Sequence, residues 1–138
     1  MITDKIKKID NPSLILYSYC KDTVDEWPRR WEISEEDLDI GKAITEHFKE
    51  FLLYRIKQGR SKRTIHLDAS YLWALGGELI RAINEDDSER SLSAKDLILK
   101  YVDESGGPYW RHASGDWDHD RYDSVCRQLF KFMTTHPN

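Results

Sequence analysis

The chain has 138 residues and a mass of 16.3 kDa, the common size of a single domain, which argues against a two-domain enzyme with a cleft between its halves. Charged residues make up 33%, aromatics 12%, and the mean hydropathy is -0.71, a composition of globular chains that excludes a disordered solvating polymer. Lys and Arg total 21 against 25 Asp and Glu, and the resulting net charge of -4 excludes a uniformly basic coat protein.

The N-terminus, Met1-Ile2-Thr3-Asp4-Lys5-Ile6-Lys7-Lys8, is basic but lacks a following apolar stretch of signal-peptide length and a small-residue cleavage site. The longest apolar run, Leu14 to Tyr17, falls far short of the roughly 20 residues that cross a bilayer. No membrane partner is expected, and cytoplasmic residence is the default. Asn11-Pro12 reads as a cap and first-turn proline opening a short helix through Leu14, Ile15, Tyr17 and Cys20; a strand is the alternative for so short a run. Trp27-Pro28-Arg29-Arg30-Trp31 reads as an irregular connector, and Ser34-Glu35-Glu36-Asp37 as a capping-box-like helix start. Ile40, Ile44, Phe48, Phe51, Leu52 and Ile56 recur at spacings of three and four, which predicts a helix of about 19 residues ending near Gly59.

Ser61 is a good N-cap for the next helix, which carries Ile65, Ala69, Leu72, Leu75, Leu79 and Ile83 on one face as far as Asn84. Gly76-Gly77 inside it costs roughly 1 kcal/mol per glycine relative to alanine, so close approach of a neighbouring helix is expected there, with a kink as the alternative. Ser93-Ala94-Lys95-Asp96 resembles a capping box before a short helix through Leu97, Ile98, Tyr101 and Val102, which Gly106-Gly107-Pro108 stops. Tyr122, Val125, Cys126, Leu129, Phe130 and Met133 mark a last helix, approached through Asp116, Asp118 and Asp120, whose charge suits the positive end of a helix dipole. The expected architecture is all-α: a four-helix bundle over residues 40–138, with residues 1–39 as an additional N-terminal helical segment packed on it.

Little in the chain is equipped for chemistry. Cys20 and Cys126 lie far apart among apolar neighbours, which suits buried thiols better than a disulfide framework. Asp116, Asp118 and Asp120 take the first three ligand positions of a calcium loop, but Arg121 stands where its glycine belongs and Arg127 where its bidentate Glu belongs. His112 and His119 do not share a helical face, and no cysteine pair has zinc-site spacing. Neither metal nor cofactor is expected. A Gly-x-Ser-x-Gly elbow and a phosphate-binding glycine loop are both missing, so no catalytic residue is assigned and the chain is not expected to be an enzyme.

Charge, by contrast, is concentrated. Residues 1–40 carry a net charge of -4 and residues 84–123 a net -6, while residues 49–66 set six basic side chains against Glu50 alone, a net +5. Gly59-Arg60-Ser61-Lys62-Arg63-Thr64 is a tight turn opening a helix, so backbone amides, the helix dipole and three cations converge where a DNA phosphate could bind. The candidate contacts are Arg60, Lys62 and Arg63, with Ser61 as cap and phosphate donor. Lys49, Arg55 and Lys57 on the preceding helix are flanking contacts, and His66 is placed near the backbone. Counterion release would supply most of the affinity. A solvated helix face that balances neighbouring acids is the plainer alternative.

Ile44-Thr45-Glu46-His47-Phe48-Lys49-Glu50-Phe51-Leu52 runs to Gly59, and Arg60-Ser61-Lys62-Arg63-Thr64-Ile65 then opens the long helix. Leu92-Ser93-Ala94-Lys95-Asp96-Leu97 follows, and Arg127-Gln128-Leu129-Phe130-Lys131-Phe132-Met133 lies in the last helix. This order resembles the N-terminal core-binding domain of tyrosine recombinases, the phage-integrase family, whose turn commonly reads Gly, any residue, Ser, two variable residues, Thr, Ile, as do Gly59 to Ile65. The resemblance covers about residues 40–135 and implies a four-helix bundle that clamps one face of double-stranded DNA. The family's catalytic Arg, Lys, His-x-x-Arg, His or Trp, and Tyr have no counterpart here, since His119-Asp120-Arg121-Tyr122 has the wrong spacing. A stand-alone, non-catalytic DNA-binding module is therefore implied. The acids between 84 and 123 would repel phosphate within a Debye length of about 8 Å, which leaves one side of the bundle for the duplex. The alternative is a protein-interaction module without a DNA role, carried by Trp27, Trp31, Trp110 and Trp117 in loops, with Trp73 at the edge of the long helix. Cover over the bundle ends is the competing role for those loop tryptophans.

Overall fold

A computed structural model describes residues 12–20 and 24–136, and among them every regular element is a helix. In chain order these are α1 (Pro12–Tyr19), α2 (Trp27–Trp31), α3 (Asp37–Lys57), α4 (Lys62–Glu85), α5 (Ala94–Tyr101) and α6 (Asp116–Thr135). Short 3-10 turns at Val24–Glu26 and Asp87–Ser91 complete the set. Residues 1–11, with the basic N-terminus and the Asn11 cap expected for α1, lie outside the described residues.

The architecture is an all-α bundle built on three long helices. α3 and α4 are antiparallel: the Asn84 amide at the end of α4 donates to both oxygens of Asp37 at the start of α3, and Arg55 near the end of α3 reaches Asp68 near the start of α4. α6 packs chiefly on α4 and meets the end of α3, with Phe132 edge-on to Phe51 at 5.7 Å and Gln128 accepting from Arg55. α5 packs against α3 and α4. The apolar stripes read from the sequence meet in one core, where Ile44, Phe48, Leu52, Leu72, Leu79 and Leu129 are fully buried.

Two helix starts follow the expected capping chemistry. Ser61 Oγ accepts from the Thr64 amide at 3.1 Å, and Ser93 Oγ accepts from the Asp96 amide at 3.1 Å. The third is half made. Asp37 accepts from the amides of Ile33 and Ser34 at 2.8 and 2.9 Å, while Ser34 Oγ is buried without a hydrogen-bond partner.

Residues 27–31 are a helix and not the irregular connector expected. Pro28 sits in its first turn, where a fixed φ and a missing amide cost nothing, and Trp27, Pro28 and Trp31 are buried. Trp31 explains the first glycine of the pair. A Cβ on Gly76 would stand 2.1 Å from Trp31 Cζ2, and the indole donates to the Trp73 carbonyl at 3.0 Å. The close approach is made by an indole ring from α2, and α4 continues through it as one helix of 24 residues. Cys20 and Cys126 are both buried and form no disulfide. Among the described residues, no helix is long and apolar enough to cross a membrane.

Candidate functional site

The basic segment straddles the α3–α4 turn, and folding splits it into two sets. Lys49 and Arg55 are committed inward. Lys49 pairs with Asp25 and with Glu46, and its side chain is largely covered. Burial pulls the Lys49 ammonium down, but Asp25 and Glu46 outweigh that effect and hold it above its ordinary value. Arg55 Nε lies 3.0 Å from Asp68 Oδ2 with both side chains buried, and its guanidinium also donates to Gln128. Both were expected as flanking phosphate contacts; both instead spend their charge on carboxylates that the fold brings to them.

The remaining candidates are exposed. Lys57, Arg60, Ser61, Lys62, Arg63 and His66 all face solvent, and none of the four Lys and Arg side chains pairs with a carboxylate among the described residues. Gly59, at φ 84°, lets the chain reverse between the helices, and an L side chain there would be strained. The amides of Lys62 and Arg63 have no intrahelical acceptor, because the first turn of any helix leaves its N–H groups free. Arg60 turns toward α6, where it borders a small pocket of about 200 Å³ together with Lys131 and His136. Lys62 turns the other way, its Nζ 5.8 Å from the Tyr19 ring centroid. Arg60 and Lys62 therefore lie on opposite sides of the turn and do not converge on a single atom.

Some of the acids that would repel phosphate are remote from this turn. Asp86, Asp87 and Glu89 follow the other end of α4, and 24 residues at about 1.5 Å each put roughly 36 Å between the two ends. Several Debye lengths separate them at physiological salt. Several acids also have local partners: Asp37, Glu36 and Asp87 surround Arg90, and Glu89 takes Lys100 and the Tyr101 hydroxyl.

One turn beyond the basic residues, α4 borders an aromatic pocket of about 470 Å³. His66, Ser70 and Trp73, at spacings of four and three, present one exposed face of α4 to it. Arg30 of α2 and Trp110 of the loop before α6 complete the rim, and Asp118 forms part of the wall. Trp110 is held in place: its amide donates to His119 Nε2 at 3.2 Å, and its ring packs on Tyr122 at 5.3 Å with Tyr71 edge-on at 5.9 Å. Asp118 is buried, accepts from the Tyr71 hydroxyl at 2.8 Å and the Ser114 amide at 2.9 Å, and has no cationic partner within ion-pair distance among the described residues. Burial, and then the adjacent Asp118 carboxylate, push the Tyr71 hydroxyl up to about 12.

Of the four tryptophans placed on a protein-interaction surface, Trp27 and Trp31 are buried, Trp110 is half-buried and Trp117 is exposed. Trp73 is 46% exposed and stands between the 470 Å³ pocket and a second one that shares Arg30 and Trp110 with it. Sequence reasoning also missed Lys131, whose only signal was its place in the last helix. Among the described residues, no group of three or more His, Cys, Asp and Glu side chains could hold a metal ion. No protein-family model, curated protein or solved structure matches this chain.

Proposed function

We propose that the chain is a non-catalytic DNA-binding module in which the turn opening α4 holds the phosphate backbone, the role implied by its resemblance to integrase core-binding domains. Four exposed cations without carboxylate partners among the described residues, grouped around a capped helix N-terminus, support this reading most directly. Lys57, Arg60, Lys62 and Arg63 neutralise phosphates; the Lys62 and Arg63 amides and the dipole of α4 add fixed positive potential. Lys49 and Arg55 take no part. The buried state of Trp27 and Trp31 removes two of the four residues on which a protein-interaction surface was to rest, so DNA is the partner retained.

Release of counterions sets the expected behaviour. Four neutralised phosphates give a slope of about -3.6 for log affinity against log salt, or a loss of roughly 10²-fold between 50 and 200 mM salt. Fluorescence anisotropy with a short labelled duplex measures it. Replacing Lys57, Arg60, Lys62 and Arg63 together with Gln should bring the slope close to zero while the circular dichroism stays helical. Undetectable binding at low ionic strength, or a slope that survives those four substitutions, refutes the role.

A further inference from the structure

We infer that the aromatic pocket beside the basic turn receives an unpaired nucleobase, so that the preferred ligand is a strand with bases free to leave the stack. This assignment builds on the phosphate-binding role proposed above and adds a ligand class to it.

Three features of the pocket select a nucleobase. Its lining is largely aromatic: Trp27, Tyr71, Trp73 and Trp110 border it, and Tyr71 is fixed edge-on against Trp110. A volume of about 470 Å³ lies within the range of small-ligand sites, roughly 300–1,000 Å³. The polar group in its wall is an acceptor. Each Asp118 oxygen accepts one hydrogen bond from the protein, and a carboxylate has about four acceptor sites, so capacity remains for a donor brought by the ligand. An exocyclic amino group, such as cytosine N4, is a suitable donor for a carboxylate.

The rim selects against a free amine or other simple cation, the alternative ligand of an aromatic cage with a carboxylate. His66 and Arg30 line the pocket, Arg30 paired with Glu26 at 3.4 Å, and the cations Lys62 and Arg63 lie one helical turn before His66 on α4. One turn is about 5.4 Å. The ligand that satisfies the whole arrangement has a flat aromatic ring with a donor edge, tied at short range to a negative charge. A nucleotide within a strand has that form. Stacking on aromatic side chains is tolerant of sequence, whereas the Asp118 acceptor favours bases that carry an amino group.

The test compares three labelled probes in anisotropy titrations of the full chain: a short oligodeoxycytidine, an oligothymidine of equal length, and an abasic strand of equal length and charge. The oligodeoxycytidine should bind about tenfold more tightly than the abasic strand, the scale of stacking one base on an aromatic side chain. Trp73→Ala should remove that advantage and Trp73→Phe restore it. Trp73 is 46% exposed, and circular dichroism of each variant checks that the helices are kept. Oligodeoxycytidine should also bind several-fold more tightly than oligothymidine. Equal binding of the base-bearing and abasic strands, with the salt slope intact, overturns the base pocket and leaves the phosphate site standing. Equal binding of the cytosine and thymine strands overturns the assignment of Asp118 as acceptor. No binding of any of the three strands overturns the base pocket, while the duplex titration described above decides the phosphate site separately.

Discussion

Arg55→Met separates a cation that holds the bundle together from one that meets a ligand. Arg55 and Asp68 are 8% and 7% exposed at their side chains, joined at 3.0 Å, and the guanidinium also lies 5.8 Å from the Phe51 ring centroid. Methionine keeps most of the packing volume and leaves Asp68 buried without its partner. Breaking a buried pair from one side costs about 3–5 kcal/mol, and Arg60, whose field also reaches Asp68, places this case at the lower end. At roughly 3 °C per kcal/mol for a chain of this size, the melting temperature should fall by about 10 °C. The loss should depend on pH. Burial already holds the Asp68 carboxyl above its ordinary 3.8 despite Arg55, and removing Arg55 raises it further. The folded variant then holds a proton that the unfolded chain gives up, so the destabilisation is greatest at neutral pH and shrinks as pH falls toward 3.8. Adding Asp68→Asn should recover most of the stability at pH 7. Denaturant unfolding followed by circular dichroism measures each quantity, and DNA affinity measured where the variant is folded should equal that of the parent chain. A DNA-binding loss as large as that of Arg63→Gln, or a stability loss independent of pH, would refute the assignment of Arg55 to the interior.

Gly76→Ala sets a Cβ 2.1 Å from the buried Trp31 ring and should destabilise by about 2 kcal/mol, whereas Gly77→Ala, whose nearest neighbour is 3.8 Å away, should stabilise by up to about 1 kcal/mol; thermal melts of the pair check the sign of each. Ser61→Ala should cost about 1 kcal/mol through the lost cap. Ser61→Asp keeps a capping oxygen and puts an anion into the phosphate site, so its melting temperature should hold while DNA affinity falls. Burial raises the Asp37 carboxyl, but the Ser34 and Ile33 amides, Asn84 and Arg90 outweigh it and leave the group below 3.8. Its contribution is therefore fully present above 3.8 and lost as pH falls through the lower folded value, and Asp37→Asn should be roughly 2 kcal/mol less stable at pH 7 with a flatter acid limb.

The long helices were legible because their apolar residues recur at helical spacing, and Ser61 and Ser93 mark the starts of α4 and of the short α5 by local chemistry that acts within three residues. The helix α2 was not legible. Five residues are too few to show a period, and what orders Trp27 to Trp31 is the groove over Gly76, more than forty positions away. Gly76-Gly77 announced a close approach without naming the group that makes it. The inward turn of Arg55 carried a signal that the charge count obscured: it follows Phe51 by four and Phe48 by seven, on the apolar stripe itself. Lys49 had no such signal, since its partner Asp25 comes from another element. The pocket was invisible for the same reason. His66, Trp73, Trp110 and Asp118 belong to two helices and a loop, and only tertiary packing puts them around one pocket.

Amide-resolved NMR of the full chain, titrated with a short DNA duplex at low salt, tests the basic turn most directly. Shift changes should concentrate on residues 57–66 and fade with added salt, while the amides of 85–104 at the far end of α4 stay unmoved. Changes centred on 85–104, or scattered evenly over the bundle, would contradict the proposed interface.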